Sequence, residues 1–277
     1  LYGYVPSKTL GYCYTGLFAL TALVHLFQSV RHRAWWLLPS IVVAAIGETV
    51  GWAARLQSAS NPTLKGPFIV QTLLLVLAPT PFVAALFMGF GRIVGGLGVQ
   101  YSRLSPKLYS RIFLSCDILS LVVQGLGGGI CASNTEDLDR IRLGSNITLG
   151  GLIFQILAMS VFCALMGEYA YRYTNDRPFR RATAQEKAAQ HILDSNVKRL
   201  IGGILVSTAL VYVRSVYRMA EFIEGFSGAL AHNQVTFVIF DASLVAIALY
   251  TLNWCHPGKL LLRTAASAGQ AFEAMMV

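Results

Sequence analysis

Residues 146–172 read NITLGGLIFQILAMSVFCALMGEYAYR. From Ile147 to Gly167 no side chain carries a formal charge. A helix of this length crosses the hydrocarbon layer of a bilayer, for which about 20 apolar residues suffice. The run is continuous rather than alternating, and about twice the length of a barrel strand, so a spanning helix is read rather than a strand.

Working outward, six more runs of the same kind appear, at about 9–30, 36–57, 68–92, 107–131, 197–225 and 235–255. The whole chain of 277 residues is 55% hydrophobic and only 13% charged, about half the charged share of a soluble domain. Its mean hydropathy is +0.57. An ordinary soluble domain is therefore excluded. The expected fold is all-α, a polytopic membrane protein of seven transmembrane helices. One such domain is read over 1–258, with a cytoplasmic tail over 259–277. No internal repeat is read, and an odd number of spans rules out simple duplication of the whole.

The breaks between runs carry turn and loop residues. They are Arg31-His32-Arg33, Asn61-Pro62 with Lys65-Gly66-Pro67, Gly95 to Gly98 with Ser105-Pro106, the polar stretch Asn134 to Ser145, and the longest loop, Asn175 to Asn196. The five cysteines, Cys13, Cys116, Cys131, Cys163 and Cys255, show neither metal spacing nor a paired framework and read as small buried hydrophobes. The start at Leu1 leads us to expect an upstream piece. No removable signal peptide is read, because the first run lacks a basic leader and reaches spanning length.

The net charge of +9 does not indicate nucleic acid, because the basic residues sit in short segments between apolar runs. Their distribution indicates orientation instead. Of the 22 Lys and Arg, 15 fall on the side that holds Arg31, Arg92, Arg103, Arg172, Lys198 and Lys259. Four (Lys8, Lys65, Arg140, Arg142) fall on the other, and three lie within spans. An extracellular N-terminus and a cytoplasmic C-terminus are expected. The sequon Asn146-Ile147-Thr148 falls on the expected outer side.

Charges inside spans are costly and mark polar interiors or wet cavities. Here they are Glu48 and Arg55 in the second span, Asp117 in the fourth, Arg214, Arg218, Glu221 and Glu224 in the sixth, and Asp241 in the seventh. Helical spacing places Glu48, Trp52 and Arg55 on one face, and Arg214, Arg218 and Glu221 in one stripe. With the direction of each span assigned, these residues share the middle-to-outer depth with Gln71, Gln124 and Gln155. A polar cavity toward the extracellular leaflet is expected. If all its groups ionise, five acids face three arginines and the net charge is minus two. Either some carboxyls stay protonated or the cavity prefers a cation, such as a lipid with an amino head group. Singly, the glutamines serve equally as hydrogen-bond ties between helices, and Arg218–Glu221 as a structural pair. Glu224 reads equally as a residue at the water boundary. His25 lies in the inner third of the first span, where a satisfied core histidine is the ordinary role.

The ordered set Tyr4-Val5-Pro6, His25, Gly47-Glu48 with Gly51 and Arg55, Gln71, Ala78-Pro79 with Ala84-Ala85, Gly91-Arg92, Asp117 with Ser120 and Gln124-Gly125, Gly150-Gly151-Leu152 with Gln155, Arg214-Ser215-Val216-Tyr217-Arg218 with Glu221, Asp241, and His256-Pro257-Gly258 resembles the RTA-like proteins. This is the fungal lipid-translocating exporter family, first associated with aminocholesterol resistance. The resemblance covers nearly the whole chain, and its most specific part is the Arg-x-x-x-Arg-x-x-Glu stripe with the terminal His-Pro-Gly. It implies seven helices, an extracellular N-terminus, and a role in release or flip of sphingoid long-chain bases, resistance to amphipathic toxic compounds, or porphyrin traffic. Members often carry Tyr or Phe where this chain has Trp52, which leaves the substrate open.

The leading expectation is a plasma-membrane protein that binds and exports or translocates an amphipathic lipid or cationic compound. Its partners would be membrane lipids and that substrate. The candidate substrate-binding residues are Glu48, Arg55, Gln71, Asp117, Gln124, Gln155, Arg214, Arg218, Glu221 and Asp241. No cofactor is expected unless His25 ligates a porphyrin or haem iron. The Gly-rich runs at 95–98 and 125–129 lack a phosphate-loop ending, so energy would come from a gradient or a partner. The second run suits close helix packing. The alternatives are an intramembrane lipid-modifying enzyme using the buried carboxylates, for which no Gly-x-Ser-x-Gly or His-Glu-x-x-His motif is present, and a seven-helix receptor or sensor. The basic loop from Arg172 to Arg199 suits anionic inner-leaflet lipids.

Overall fold

The computed structural model describes residues 6–61, 64–133, 137–181, 195–224 and 233–258. The tail 259–277, Tyr4-Val5 of the amino-terminal motif, and most of the long loop at 182–194 lie outside the described residues. Among the described residues every regular element is helical. Seven helices are long and apolar enough to cross a membrane: Lys8–Arg31, Trp35–Ser60, Gly66–Leu97, Pro106–Cys131, Asp139–Thr174, Ser195–Glu224 and Gln234–Trp254. They are called the first to seventh spans below. The protein is an integral membrane protein.

Two spans start or end away from the expected positions. The fifth begins at Leu138, not near residue 146, so the polar stretch 138–145 and the Asn146 sequon are helical. The reason is local. Asp137 caps the helix by accepting from the backbone N–H groups of Asp139 and Arg140, and no proline follows to break it. The third span continues through Gly95 and Gly96, expected as loop, to Leu97, where Gly98 at φ 148° ends it.

The spans close into a bundle in chain order. The first packs on the second, the second on the third, the third on the fourth, and so on round to the seventh against the first. The part of the third span from Pro79 to Leu97 also touches the second and sixth, so it forms the central pillar. Nearly every residue from Pro79 to Val94 is buried. Around its lower part lie Phe87, Phe90, Tyr109, Phe113, Phe162 and Tyr169, with Phe87–Phe162 and Phe90–Tyr109 ring centroids 4.6 and 5.1 Å apart. Many large apolar side chains are exposed, among them Leu23, Phe27, Leu126, Leu157 and Ile223, as a lipid-facing jacket requires.

Three irregularities shape the interior. The third span is broken at Ala78, before Pro79. The second span opens with a 3-10 turn, Trp35–Leu37, followed by a π-helical stretch, Leu38–Val42, that contains Pro39. The seventh contains another, Val238–Ser243, that contains Asp241. Gly47 and Gly51, one turn apart on the second span, let it press against the break: a Cβ at Gly47 would meet the Ala78 Cβ at 2.8 Å, and one at Gly51 would meet Leu75 at 2.7 Å.

Candidate functional site

The break in the third span sets up the site. A proline has no N–H, so Pro79 leaves the carbonyl four residues earlier, that of Leu75, without its helical partner. In a bilayer such a carbonyl must be satisfied by protein. Arg214 of the sixth span does so, donating from Nη2 to the Leu75 carbonyl at 2.7 Å. One arginine thereby ties the sixth span to the kink of the third.

The same guanidinium faces Asp241. Arg214 Nε lies 2.8 Å from Asp241 Oδ1, and Arg218 Nε lies 3.6 Å from the same oxygen. Neither Arg214 Nε nor Asp241 Oδ1 is in an aligned hydrogen bond, so this is a close charge contact rather than a directional one. The π-helical stretch of the seventh span carries Asp241 into the interior; such extra-residue turns recur at functional sites. Ser243 closes that turn by donating to the Val238 carbonyl at 2.9 Å, and its hydroxyl also meets the Tyr14 hydroxyl at 2.7 Å. One turn along the sixth span, Arg218 Nη1 donates to Glu221 Oε2 at 2.7 Å.

Glu48 completes the cluster from the second span. It is 2% exposed and lies in charge range of Arg214, Asp241 and Arg218. It makes no hydrogen bond among the described residues. Arg55, two turns away on the same face, donates to Gln71 Oε1 at 3.3 Å. Its guanidinium sits 4.8 Å from the Phe237 ring centre and 5.6 Å from that of Trp52. Tyr14 stacks on Trp52 with centroids 4.5 Å apart. Seven of the ten expected site residues are thus brought into one buried polar region with an aromatic wall: Glu48, Arg55, Gln71, Arg214, Arg218, Glu221 and Asp241. Tyr14, Trp52, Phe237 and the Leu75 carbonyl belong to it and were not among the sequence candidates. The sequence signals for them were Pro79, four residues beyond Leu75, and the helical spacing that sets Trp52 on the face of Glu48 and Arg55.

The other three residues form a separate network between the fourth and fifth spans. Gln155 Nε2 donates to Asp117 Oδ1 at 3.3 Å, and Gln124 Nε2 donates to Gln155 Oε1 at 3.0 Å and to Ser120 Oγ at 2.7 Å. Ser120 Oγ donates to the Gly151 carbonyl at 2.7 Å. Here the helices are in close contact, since a Cβ at Gly127 would lie 2.5 Å from the Gly144 carbonyl oxygen. Asp117 Oδ2 is buried without a hydrogen-bond partner. Among the described residues no hydrogen bond or ion pair joins this network to the Arg214 cluster.

Glu224, the fifth intramembrane acid, is exposed. The charge balance changes accordingly. Without Asp117 and Glu224 the central region holds three acids, Glu48, Glu221 and Asp241, against three arginines, and the expected excess of two negative charges is lost.

His25 is fully buried, with its Nε2 3.1 Å from the Leu249 carbonyl of the seventh span. That contact ties the first span to the seventh, while Nδ1 is buried with no hydrogen-bond partner. Its ring centre is 6.1 Å from that of His256. The His256-Pro257-Gly258 motif docks on the loop after the first span, where Gly258 comes so near Ala34 that a Cβ would lie 2.6 Å from it. Among the described residues no group of three or more His, Cys, Asp or Glu side chains is arranged to hold a metal ion.

The family model described as RTA1 like protein matches residues 41–264, which takes in all seven residues of the central cluster. The chain belongs to the RTA1-like family. Among its relatives, the sphingoid long-chain base transporter RSB1 of Saccharomyces cerevisiae is 27% identical over 279 residues, covering 92% of this chain and 73% of that protein. Protein RTM1 of Saccharomyces cerevisiae is 26% identical, covering 90% of this chain and 88% of its own length. Protein RTA1 of the same yeast is 26% identical, covering 87% and 80%. No solved structure gives a significant match. The RTA1-like chain thus shares with these relatives a stretch that includes both polar networks.

Proposed function

We propose that this RTA1-like protein binds an amphipathic lipid with an amine head group, of the sphingoid long-chain-base type, and promotes its export or transbilayer movement at the plasma membrane. The observation that carries this reading is Glu48: a buried carboxyl among three charged neighbours, with no hydrogen bond of its own. A carboxylate taken out of water costs several kcal/mol unless it is paired. Arg214 is engaged by Leu75 and Asp241, and Arg218 by Glu221 and Asp241. An incoming ammonium, with three donors, supplies what Glu48 lacks. With three acids against three arginines the cluster is balanced when ionised, so a cation enters either beside a displaced arginine or, where Glu48 holds a proton, with loss of that proton. The excess of Lys and Arg at the opposite end of the bundle supports an orientation with this cluster in the outer half of the membrane.

The likeness to a long-chain base transporter supports the substrate class. Cationic toxic amphiphiles share the same two chemical features, an amine and an alkyl body, and would compete for the same place. Gln71, Arg55 and the aromatic wall would line the site. The Asp117–Gln155–Gln124 network is assigned to helix packing.

The test is release of a labelled long-chain base from cells that carry or lack the protein, with Glu48→Gln as the site variant. We expect release to rise with the wild-type chain and to return to background in Glu48→Gln at equal membrane abundance. Equal release from cells with and without the wild-type protein would refute the function, and full release by Glu48→Gln would refute the site.

A further inference from the structure

Far from the polar cluster, at the end of the bundle rich in Lys and Arg, a cavity of about 210 Å³ opens between the third, fifth and sixth spans. Its deep wall is apolar, with Phe90, Met166 and Ile204; its rim carries Tyr173 and Lys198. Leu97, Thr174 and Lys198 lie at the ends of their spans, and Phe90 and Leu205 each lie seven residues deeper, so the hollow runs about 10 Å into the bundle. It is shaped for a chain, not for a polar metabolite.

Two independent polar features point to what that chain bears. Tyr169 lines the cavity and is 4% exposed, and its hydroxyl has no hydrogen-bond partner. A buried unpaired hydroxyl is costly, so a ligand acceptor placed there is favoured. Lys198, at the rim, is exposed and has no ion-pair partner among the described residues. Next to the rim, Arg103 and Arg172 share Glu168 at 2.7 and 2.8 Å, and Asp176 accepts from the Tyr101 hydroxyl beside Tyr173, so Lys198 is the charge that the cavity lining itself presents.

We propose that this cavity is a binding site for one acyl chain of an anionic phospholipid, separate from the amine site. Lys198 holds the phosphate at the rim. Tyr169 is four residues, about 6 Å along the helix, below Tyr173 and donates its hydroxyl to an ester carbonyl. Phe90, Met166 and Ile204 bury the first part of the chain. Basic pockets between spans are a recurring way to hold anionic head groups. A lipid seated here bridges the third, fifth and sixth spans and stabilises their mutual packing. It thereby favours the arrangement in which Arg214 of the sixth span meets the break of the third.

The experiment uses the full chain purified in detergent, with thermal unfolding followed as phosphatidylserine, phosphatidylcholine of equal chain length, or glycerophosphoserine is added. Ligands that bind only the folded state raise Tm with concentration. We expect a rise of a few °C with phosphatidylserine, a much smaller one with phosphatidylcholine, and none with the chainless head group. Lys198→Glu should remove the preference for phosphatidylserine. Ala170→Trp, which fills the cavity from its lining, should remove the response to both lipids. Tyr169→Phe keeps the packing and should need several-fold more phosphatidylserine for the same rise. Should Ala170→Trp fail to fold by its lipid-free Tm, the Lys198 and Tyr169 variants decide. Equal responses to the two lipids, a response to glycerophosphoserine alone, or unchanged phosphatidylserine dependence in Lys198→Glu would overturn the proposal. None of these readouts uses long-chain-base release, so the two sites stand or fall separately.

Discussion

The contact between Arg214 and the Leu75 carbonyl can be isolated by giving that carbonyl back its ordinary partner. Replacing Pro79 with Ala supplies a backbone N–H four residues beyond Leu75, where an unbroken helix would place it. In the wild type, Arg214→Met removes the Leu75 bond at 2.7 Å and also leaves Asp241 with only the longer 3.6 Å contact to Arg218. Breaking a buried ion pair by removing one partner costs about 3–5 kcal/mol. The hydrogen bond to the carbonyl adds to this. A charged donor is worth about 1.5–3 kcal/mol in soluble proteins, while interhelical bonds in bilayers average about 0.6 and reach about 1.7 kcal/mol. We take about 1.5 kcal/mol, because the donor is charged and the acceptor has lost its helical donor to Pro79. In the Pro79→Ala background the carbonyl part of the penalty disappears, so Arg214→Met should cost about 1.5 kcal/mol less than in the wild type. The four proteins of this cycle would be compared by reversible unfolding in mixed micelles. Additivity within about 0.5 kcal/mol, the usual scatter for uncoupled sites, would refute the claim that the proline frees the carbonyl for the arginine.

Further expectations concern each network separately. Gln155→Leu should lower stability by about 1 kcal/mol through the lost contacts to Asp117 and Gln124, yet leave long-chain-base release unchanged; a loss of release at equal abundance would return the lateral network to the site. Asp241→Asn should abolish release, and rescue by Asp241→Glu at full rate would show that the oxygen position set by the π-helical turn is immaterial. Gly51→Val should destabilise the bundle by about 1–3 kcal/mol, since its Cβ would meet Leu75 at 2.7 Å; unfolding at the wild-type midpoint would contradict the close approach of the second and third spans. Arg103→Gln should change stability by less than about 1 kcal/mol, because its partner Glu168 keeps Arg172 and the pair is half in solvent.

Much of this protein was readable before any fold was known. Long uncharged runs can do only one thing in a chain this apolar, so all seven spans follow from length and composition. The charged residues inside them were legible for a related reason: an ion in hydrocarbon must turn inward, wherever inward is. The Arg214, Arg218 and Glu221 stripe and the Glu48, Arg55 face therefore declared themselves through helical spacing alone.

Their partners did not. In a soluble helix the apolar stripe marks the core, but in a bilayer the lipid side is as apolar as the protein side, so periodicity does not tell one from the other. Residues at equal depth consequently looked like one chamber, whereas the packing of the fourth span on the fifth holds Asp117, Gln124 and Gln155 to themselves. The turn that delivers Asp241, the carbonyl that Pro79 releases to Arg214, and the helix that Asp137 extends through Asn146 are likewise decided by contacts across the bundle or by backbone hydrogen bonds. Sequence determined which groups had to be hidden from lipid, because that cost belongs to each residue. Tertiary structure decided which of them meet, because a pairing within 3 Å depends on the rotation of two helices about their axes, and an apolar surface facing apolar tails leaves that rotation unmarked.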